Sequence, residues 1–186
     1  MGIKKQSKKI TEHLTSNLYI NKVNICSGCP LRIYAKQDEK ITFGIGNIFG
    51  DIIFVLPTYN VDTELKDNSP LKLLQNQYKE ITGKELLEEN YVTRFIKCDV
   101  KSTFDLENHA IKYCYTNLIY EISRIKPKKV VILTRDYEDI VDYVKILFNN
   151  NSNIKFYQTY NIGVLYYNNE YKENFIEQLK EIIYDT

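Results

Sequence analysis

The stretch DIIFVLP, residues 51–57, decides the fold of this 186-residue chain. Its run of consecutive apolar residues is typical of a buried strand, and Pro57 indicates the point at which that strand ends. Few polar residues interrupt the run, so neither face of the strand is marked as the solvent face. The sequence therefore predicts a buried strand over residues 51–56, and the neighbouring segments indicate what covers it.

Strands and amphipathic helices alternate along the rest of the chain. Pro70 opens a helix with an apolar stripe, and Gly83 ends it. This alternation predicts the α/β class, as a three-layer α/β/α sandwich with a central, mostly parallel four-stranded sheet. Residues 1–24 are predicted to form a basic N-terminal helix or arm that precedes one domain over residues 25–186. Further strands are predicted at 91–96, 129–133 and 154–157, and further helices at 106–125, 136–148 and 170–183.

Several basic residues lie near the ends of these predicted strands or in the loops that enter them. Ligands of parallel sheets bind at the carboxyl ends of the strands, so a basic residue at such an edge can contact a phosphate backbone. The alternative is a solvated basic rim, because a net charge of +1 gives no global signature of polyanion binding. The candidate DNA-contacting residues are Lys97, Lys101, Lys128 and Arg135.

The four cysteines of the chain are Cys26, Cys29, Cys98 and Cys114. The first two form a C-x2-C pair, which presents two thiolates from one turn to a single metal or cluster. Cys98 and Cys114 are too far apart in sequence to form the second such pair of a zinc ribbon. We therefore expect an iron–sulfur cluster on the four thiolates. Zinc is an alternative, and buried thiols without a ligand are another.

The sequence also bears on the compartment. No segment approaches the ~20 consecutive apolar residues of a membrane span, and no apolar stretch of a signal peptide follows the charged opening MGIKK. We expect a protein without a membrane partner, located in the cytoplasm, or in the host cytoplasm if the chain is viral. Disulfides are rare in such a reducing compartment, which favours a metal as the reason for the thiols.

Five segments in a fixed order resemble the uracil-DNA glycosylase superfamily, specifically its iron–sulfur family 4. CSGCPL (26–31) resembles the first cluster pair, GIGN (44–47) the G-x-G-N turn, and DIIFV (51–55) the strand before the first catalytic motif. YVTRFIKC (91–98) resembles the strand that ends in Lys-Cys, and Cys114 lies in the helix before IKPK (125–128). The resemblance implies a uracil-DNA glycosylase-like domain over residues 25–186, a [4Fe–4S] cluster on the four cysteines, and DNA as the partner.

The chain departs from this family at the positions that carry the chemistry. LPTYN (56–60) stands where the family has Gly-Glu-Ala-Pro-Gly, so Pro57 replaces an acidic residue, and proline cannot act as a base. Arg94 replaces the family's uracil-reading Asn, and Asn161 replaces a His that stabilises the departing anion. The family's catalytic positions are thus occupied by Pro57, Asn60 and Asn161. The nucleobase-pocket positions are Thr58, Tyr59, Arg94 and Asn161.

We expect from these departures a DNA-binding protein with weak or no uracil excision, associated with DNA replication or repair. One alternative is an active DNA glycosylase, a hydrolase of the N-glycosidic bond, with a diverged base pocket. A second is a protein-interaction subunit of a larger viral or replication assembly. Late tyrosines such as Tyr160 and Tyr171 suit either base stacking or a protein interface.

Overall fold

The structure is a computed structural model that describes residues 29, 44–57, 69–97, 104–135, 138–149, 153–167 and 169–185. Within these ranges, the side chains of 104–109, 149, 167 and 169 are left out of the description. The predicted arm at residues 1–24 lies outside the described residues. The same holds for six predicted site residues: Cys26, Thr58, Tyr59, Asn60, Cys98 and Lys101.

The described residues contain a five-stranded mixed sheet. Its order is β1-β3-β2-β4-β5, in which β2 to β5 run parallel to one another and β1 runs antiparallel to β3. The four predicted strands are present, which confirms the α/β class. The additional strand β1 has only two residues, too few to show an alternating apolar pattern in the sequence. The strands are β1 (Ile45–Gly46), β2 (Ile52–Leu56), β3 (Tyr91–Arg94), β4 (Lys129–Ile132) and β5 (Lys155–Gln158).

Helices connect the parallel strands, and the best-defined one begins and ends where local signals indicate. The helix from Pro70 starts after Ser69, whose hydroxyl accepts a hydrogen bond from the Lys72 amide at 3.1 Å, and it ends at Gly83 with φ +72°. Among the described helices, none combines the length and apolar character needed to cross a membrane. The helices are α1 (Pro70–Thr82), α2 (Leu86–Glu89), α3 (Phe104–Ile125), α4 (Glu138–Asn149), α5 (Val164–Tyr167) and α6 (Asn169–Tyr184).

Strand β2 lies at the centre of the sheet and is buried on both faces. Phe54 belongs to the core that includes Leu74 of α1 and Leu179 of α6. The adjacent Val55 belongs to the opposite core, with Leu118 of α3. Successive residues of a strand face opposite sides of the sheet, so the unbroken apolar run of β2 fills two cores at once. The result is a sheet with helices packed on both faces.

The order of the strands defines one edge as the expected ligand edge. The chain passes from β2 to β3 on one side, returns to β4 on the other side of β2, and continues outward to β5. The direction of winding therefore reverses between β2 and β4. In open sheets of this kind, ligands bind outside the carboxyl ends of the strands at such a reversal. Pro57 follows β2 at this edge, and Arg135 follows β4.

Candidate functional site

Two of the four predicted cluster ligands lie in the described part of the chain, and both are buried cysteines outside any disulfide. Cys29 is 8% exposed and Cys114 is 5% exposed. Cys29 packs in a small apolar cluster with Ile96, just beyond β3, and Ala110 of α3. Ile96 is two residues before Cys98, and Ala110 is one helical turn before Cys114. Cys29 is therefore clustered with the residue two positions before Cys98 and with the helix that carries Cys114.

These two cysteines fit a soft metal or an iron–sulfur cluster. Thiolates are the ligands that such groups prefer, and burial protects them from water and oxidants. Among the described residues, no group of three or more His, Cys, Asp or Glu side chains converges as a metal site. Because Cys26 and Cys98 lie outside these residues, the complete set of four thiolates stays a prediction, and the choice between cluster and zinc also stays open.

The end of β3 carries a buried ion pair. Lys97 is 1% exposed, and its ammonium donates to the carboxylate of Glu121 on α3 and, at 2.5 Å, to the hydroxyl of Thr93. Burial lowers the pKa of the Lys97 ammonium, and the Glu121 carboxylate opposes that change. Lys97 was expected to contact DNA. Its ammonium instead lies inside the protein, so we remove Lys97 from the candidate DNA surface.

The Glu121 carboxylate also accepts hydrogen bonds from other segments. Its donors include the Gly44 amide at 3.1 Å, the Tyr91 hydroxyl at 3.1 Å and the Thr93 hydroxyl at 2.9 Å. We call Gly44, Tyr91, Thr93, Lys97 and Glu121 the Glu121 cluster. These contacts were not predicted from the sequence. A usable signal was present, because Glu121 lies seven residues after Cys114, two helical turns away on the same face of α3.

The other two described candidates for DNA contact are exposed, but they lie at opposite ends of β4. Lys128 precedes the strand and forms an ion pair with Asp51 at 2.9 Å. Arg135 follows the strand at the expected ligand edge, where its guanidinium lies 3.8 Å from the centre of the Tyr160 ring. Arg135 therefore belongs to the candidate site at the carboxyl edge, whereas Lys128 is separated from it by the length of the strand.

The described nucleobase-pocket positions are already engaged within the protein. Arg94 is buried, and one terminal nitrogen of its guanidinium donates to the Lys97 carbonyl at 3.2 Å. The carboxamide oxygen of Asn161 accepts from the Gly163 amide at 2.9 Å, and its backbone carbonyl accepts from Val164 at 3.0 Å. These two contacts form a turn over residues 161–164 that leads into α5.

Aromatic side chains accompany Arg135 at the carboxyl edge. The Tyr160 ring lies 5.6 Å from the ring of Tyr171, centre to centre, and Tyr171 is 47% exposed. We call Arg135, Tyr160 and Tyr171 the Arg135 stack. A guanidinium at this distance from a tyrosine ring is held by a cation–π contact. The Arg135 stack combines one cation with an exposed ring, which is the combination that binds a phosphate beside an unpaired base.

A separate groove of about 870 Å³ opens at the amino ends of β2 and β4. Its lining mixes cations and anions, including Lys128, Lys155, Asp51 and Asp185. Lys128 and Asp51 neutralise each other, as do Lys155 and Asp185 at 2.9 Å. Because its charges are internally compensated and it lies away from the expected ligand edge, this groove is a weaker candidate for an anionic ligand than the carboxyl edge.

The described residues form an α/β protein whose sheet has helices on both faces, with a cation and aromatic rings at its carboxyl edge and two buried cysteines elsewhere. Comparison with models of known protein families and with curated proteins finds no match for this chain.

Proposed function

We propose that this chain is a uracil-DNA glycosylase-like protein that binds DNA, holds an iron–sulfur cluster and has little or no uracil-excision activity. The observation that carries this proposal is the contact of buried Cys29 with Ile96 and Ala110. Ile96 is two residues before Cys98, and Ala110 is one helical turn before Cys114. Cys29 is therefore clustered with residues that are close in sequence to both of these cysteines. Such a convergence is what a shared ligand requires of three distant segments.

Cys26, Cys29, Cys98 and Cys114 would hold the cluster. When bound, a thiolate-ligated cluster cross-links the segments that carry its ligands and contributes to folding. This role needs no catalytic group, so the cluster can be retained where excision chemistry is absent. Thiolates must also stay reduced, which supports the cytoplasm, or a host cytoplasm, as the location.

The arrangement of the described residues supports binding without excision. Excision needs a flipped base, an oriented water and a donor for the departing anion. Pro57 offers neither a base nor a hydrogen-bond donor at the end of β2. Asn161 can donate from its carboxamide nitrogen but brings no positive charge, so it stabilises a departing anion less than an imidazolium does. These two replacements favour a scaffold that binds DNA and leaves the glycosidic bond intact.

The support for DNA as the partner is the Arg135 stack at the carboxyl edge. Arg135 supplies a charge for phosphate, and the exposed face of Tyr171 supplies a surface on which a base can stack. A role associated with DNA replication or repair follows from that partner.

The cluster is tested by purifying the protein without oxygen and measuring iron, acid-labile sulfide and visible absorbance. We expect brown protein with iron and sulfide in the ratio of a [4Fe–4S] cluster, and a loss of both when Cys29 or Cys114 is changed to Ser. Colourless protein with stoichiometric zinc would replace the cluster with a zinc site. Protein with neither metal would contradict the proposal.

The absence of excision is tested separately, with oligonucleotides that contain uracil, hypoxanthine or mismatched bases. We expect binding without release of the base. Robust turnover on any of these substrates would favour the alternative of an active glycosylase with a diverged pocket.

A second candidate function, a protein-interaction subunit of a larger viral or replication assembly, is favoured by one face of α4. Tyr143, Ile146 and Leu147 are all exposed on this helix. Exposed apolar side chains grouped on one helix are typical of protein interfaces. DNA affinity that does not fall with salt would favour this candidate, because phosphate contacts give a steep dependence on salt.

A further inference from the structure

The Glu121 cluster joins three parts of the chain around one carboxylate. Glu121 is 2% exposed on α3. Its donors are the Gly44 amide next to β1, the Tyr91 and Thr93 side chains of β3, and the Lys97 ammonium just beyond β3. The Lys97 ammonium also donates to Thr93. The edge of the sheet, the end of β3 and helix α3 are therefore fixed to one another by a single side chain.

These donors are distributed over both oxygens of the Glu121 side chain. A carboxylate has two oxygens and about four lone-pair positions, and it has no hydrogen to turn toward a donor. A glutamine at the same place keeps one oxygen and presents an NH₂ group, which would face donors in the same pocket. Glutamine therefore fills the volume of Glu121 but cannot maintain its contacts.

The two charged residues of the Glu121 cluster, Lys97 and Glu121, are close in sequence to two of the predicted ligands. Lys97 is the residue directly before Cys98. Glu121 follows Cys114 by two helical turns on the same face of α3. The Lys97–Glu121 contact thus holds the segment that leads to Cys98 against the helix that carries Cys114.

We propose that Glu121 is a positioning residue for the predicted metal ligands, because its carboxylate sets the end of β3, from which the chain continues to Cys98, relative to helix α3, which carries Cys114. This inference rests on the proposed function and adds a residue to it that is not itself a ligand. A positioning role predicts that loss of the Glu121 carboxylate weakens the binding of the iron–sulfur cluster. A substitution elsewhere that lowers the free energy of unfolding by the same amount should weaken it less.

The test compares variants of the full chain after anaerobic reconstitution. Glu121→Gln removes the charge at nearly constant volume. Glu89→Gln makes the same chemical change in an exposed ion pair, where Glu89 lies 2.8 Å from Lys84. Leu74→Ala creates a cavity in the core on the other face of the sheet, where Leu74 is fully buried. The measurements are the rate at which a chelator bleaches the cluster, the electron paramagnetic resonance spectrum of the reduced cluster, and the urea midpoint.

We expect Glu121→Gln to bleach roughly tenfold faster than wild type, since hydrogen bonds to a charged group are lost. Its spectrum should also change, because displaced thiolates alter the geometry around the iron. Glu89→Gln should match wild type. Leu74→Ala should lose stability and yet keep the wild-type bleaching rate and spectrum. Equal bleaching of Glu121→Gln and wild type, or of Leu74→Ala and Glu121→Gln, would overturn the inference.

Two milder variants decide the question if Glu121→Gln does not fold. Tyr91→Phe removes one donor to the carboxylate, and Thr93→Val removes another donor together with an acceptor of the Lys97 ammonium. Tyr91→Phe should bleach about threefold faster than wild type and Thr93→Val faster than Tyr91→Phe, and wild-type rates in both would overturn the inference. A wild-type chain that takes up no metal would overturn the proposed function together with this inference. Metal-loaded wild type with unaltered variants overturns the inference alone.

Discussion

The guanidinium of Arg135 lies 3.8 Å from the centre of the Tyr160 ring, and this contact joins the segment after β4 to the segment after β5. Both segments lie at the carboxyl edge of the parallel sheet, where such folds bind their ligands. Tyr160 in turn contacts Tyr171 of α6. The contact therefore holds a cation at the edge where the reversal of strand order predicts a ligand.

Changing Arg135 to Ala should weaken DNA binding and reduce the salt dependence of the affinity. Loss of one phosphate contact lowers the slope of log affinity against log salt by about one. Fluorescence anisotropy with a labelled oligonucleotide, measured over a series of salt concentrations, gives both quantities. Lys84→Ala is the control, because Lys84 is exposed near the amino end of β3 and pairs with Glu89. An unchanged slope in Arg135→Ala would remove Arg135 from the DNA surface.

Gly44→Ala should destabilise the protein much more than Gly83→Ala. A Cβ atom on Gly44 would lie 2.4 Å from the Val92 carbonyl oxygen and 2.5 Å from the Tyr91 ring, so backbone has to move. A Cβ on Gly83 meets no atom within 4 Å, and only its φ of +72° opposes the change. We expect a loss of about 1 kcal/mol for Gly83→Ala and at least twice that for Gly44→Ala. Urea unfolding measures both, and equal losses would contradict the close approach at Gly44.

Acid should remove the contribution of the Asp185 carboxylate to the stability of the folded protein. The hydroxyl of Tyr157 and then the ammonium of Lys155 donate to its carboxylate and lower the pKa of Asp185. A lowered folded pKa means that this stability is present above the unfolded value of about 3.9 and is lost as the pH falls through the folded pKa. Asp185→Asn should therefore be less stable than wild type at neutral pH, and the difference should shrink in acid. Urea midpoints at several pH values measure it.

The hydrogen bond between Tyr157 and Asp185 should also lose its contribution to stability at alkaline pH. Burial, and then the hydrogen bond to Asp185, raises the pKa of Tyr157 to about 12. A raised folded pKa means that the stabilisation is complete below the unfolded value of about 10 and is lost as the pH rises through about 12. Tyr157→Phe should remove this alkaline loss and also return the pKa of Asp185 toward its usual range. If the urea midpoint of Tyr157→Phe depends on pH as that of wild type does, the Tyr157–Asp185 hydrogen bond is not the cause of either pH dependence.

Lys129 should stabilise the end of helix α6. Its buried ammonium donates to the carbonyls of Ile182 at 2.8 Å and Ile183 at 3.1 Å, and also to that of Asp185. These carbonyls lie at the negative end of the helix dipole, where a cation is favourable. Lys129→Met should cost about 1.5–3 kcal/mol, the range for hydrogen bonds to a charged group.

Lys155→Met provides the matched control for that substitution. Lys155 pairs with Lys129 in the sheet register, but its side chain is half-exposed and its ion pair with Asp185 lies at the surface. We expect a loss of about 1 kcal/mol or less. Equal effects of the two substitutions would show that the carbonyl contacts of Lys129 add nothing beyond surface charge.

Local features of the sequence were sufficient for the main strands and for the limits of α1. The apolar run of β2 identified a doubly buried strand, because a strand in the middle of a parallel sheet has no solvent face to mark with polar residues. Pro70 and Gly83 marked the ends of α1 since capping depends on residues adjacent in sequence. The antiparallel strand β1 was missed, because two residues carry no period.

Spacing and resemblance singled out the cysteines, but they did not indicate which charged residues surround them. Glu121 is 77 residues from Gly44 and 24 from Lys97, so no local pattern predicts their contact. Once Lys97 folds against Glu121, it is lost as a DNA-contacting residue. Lys128 and Arg135 are close in sequence, but the length of β4 separates them.

The sequence by itself determined the α/β class and the central strand, because these depend on residue type and on short-range order, and a ligand shared by the four thiols stays its prediction. Only the tertiary structure decided which cations reach the surface and which carboxylate compensates the buried Lys97. The physical reason is that the burial of a charge depends on the partner that compensates it, and that partner is supplied by a distant segment.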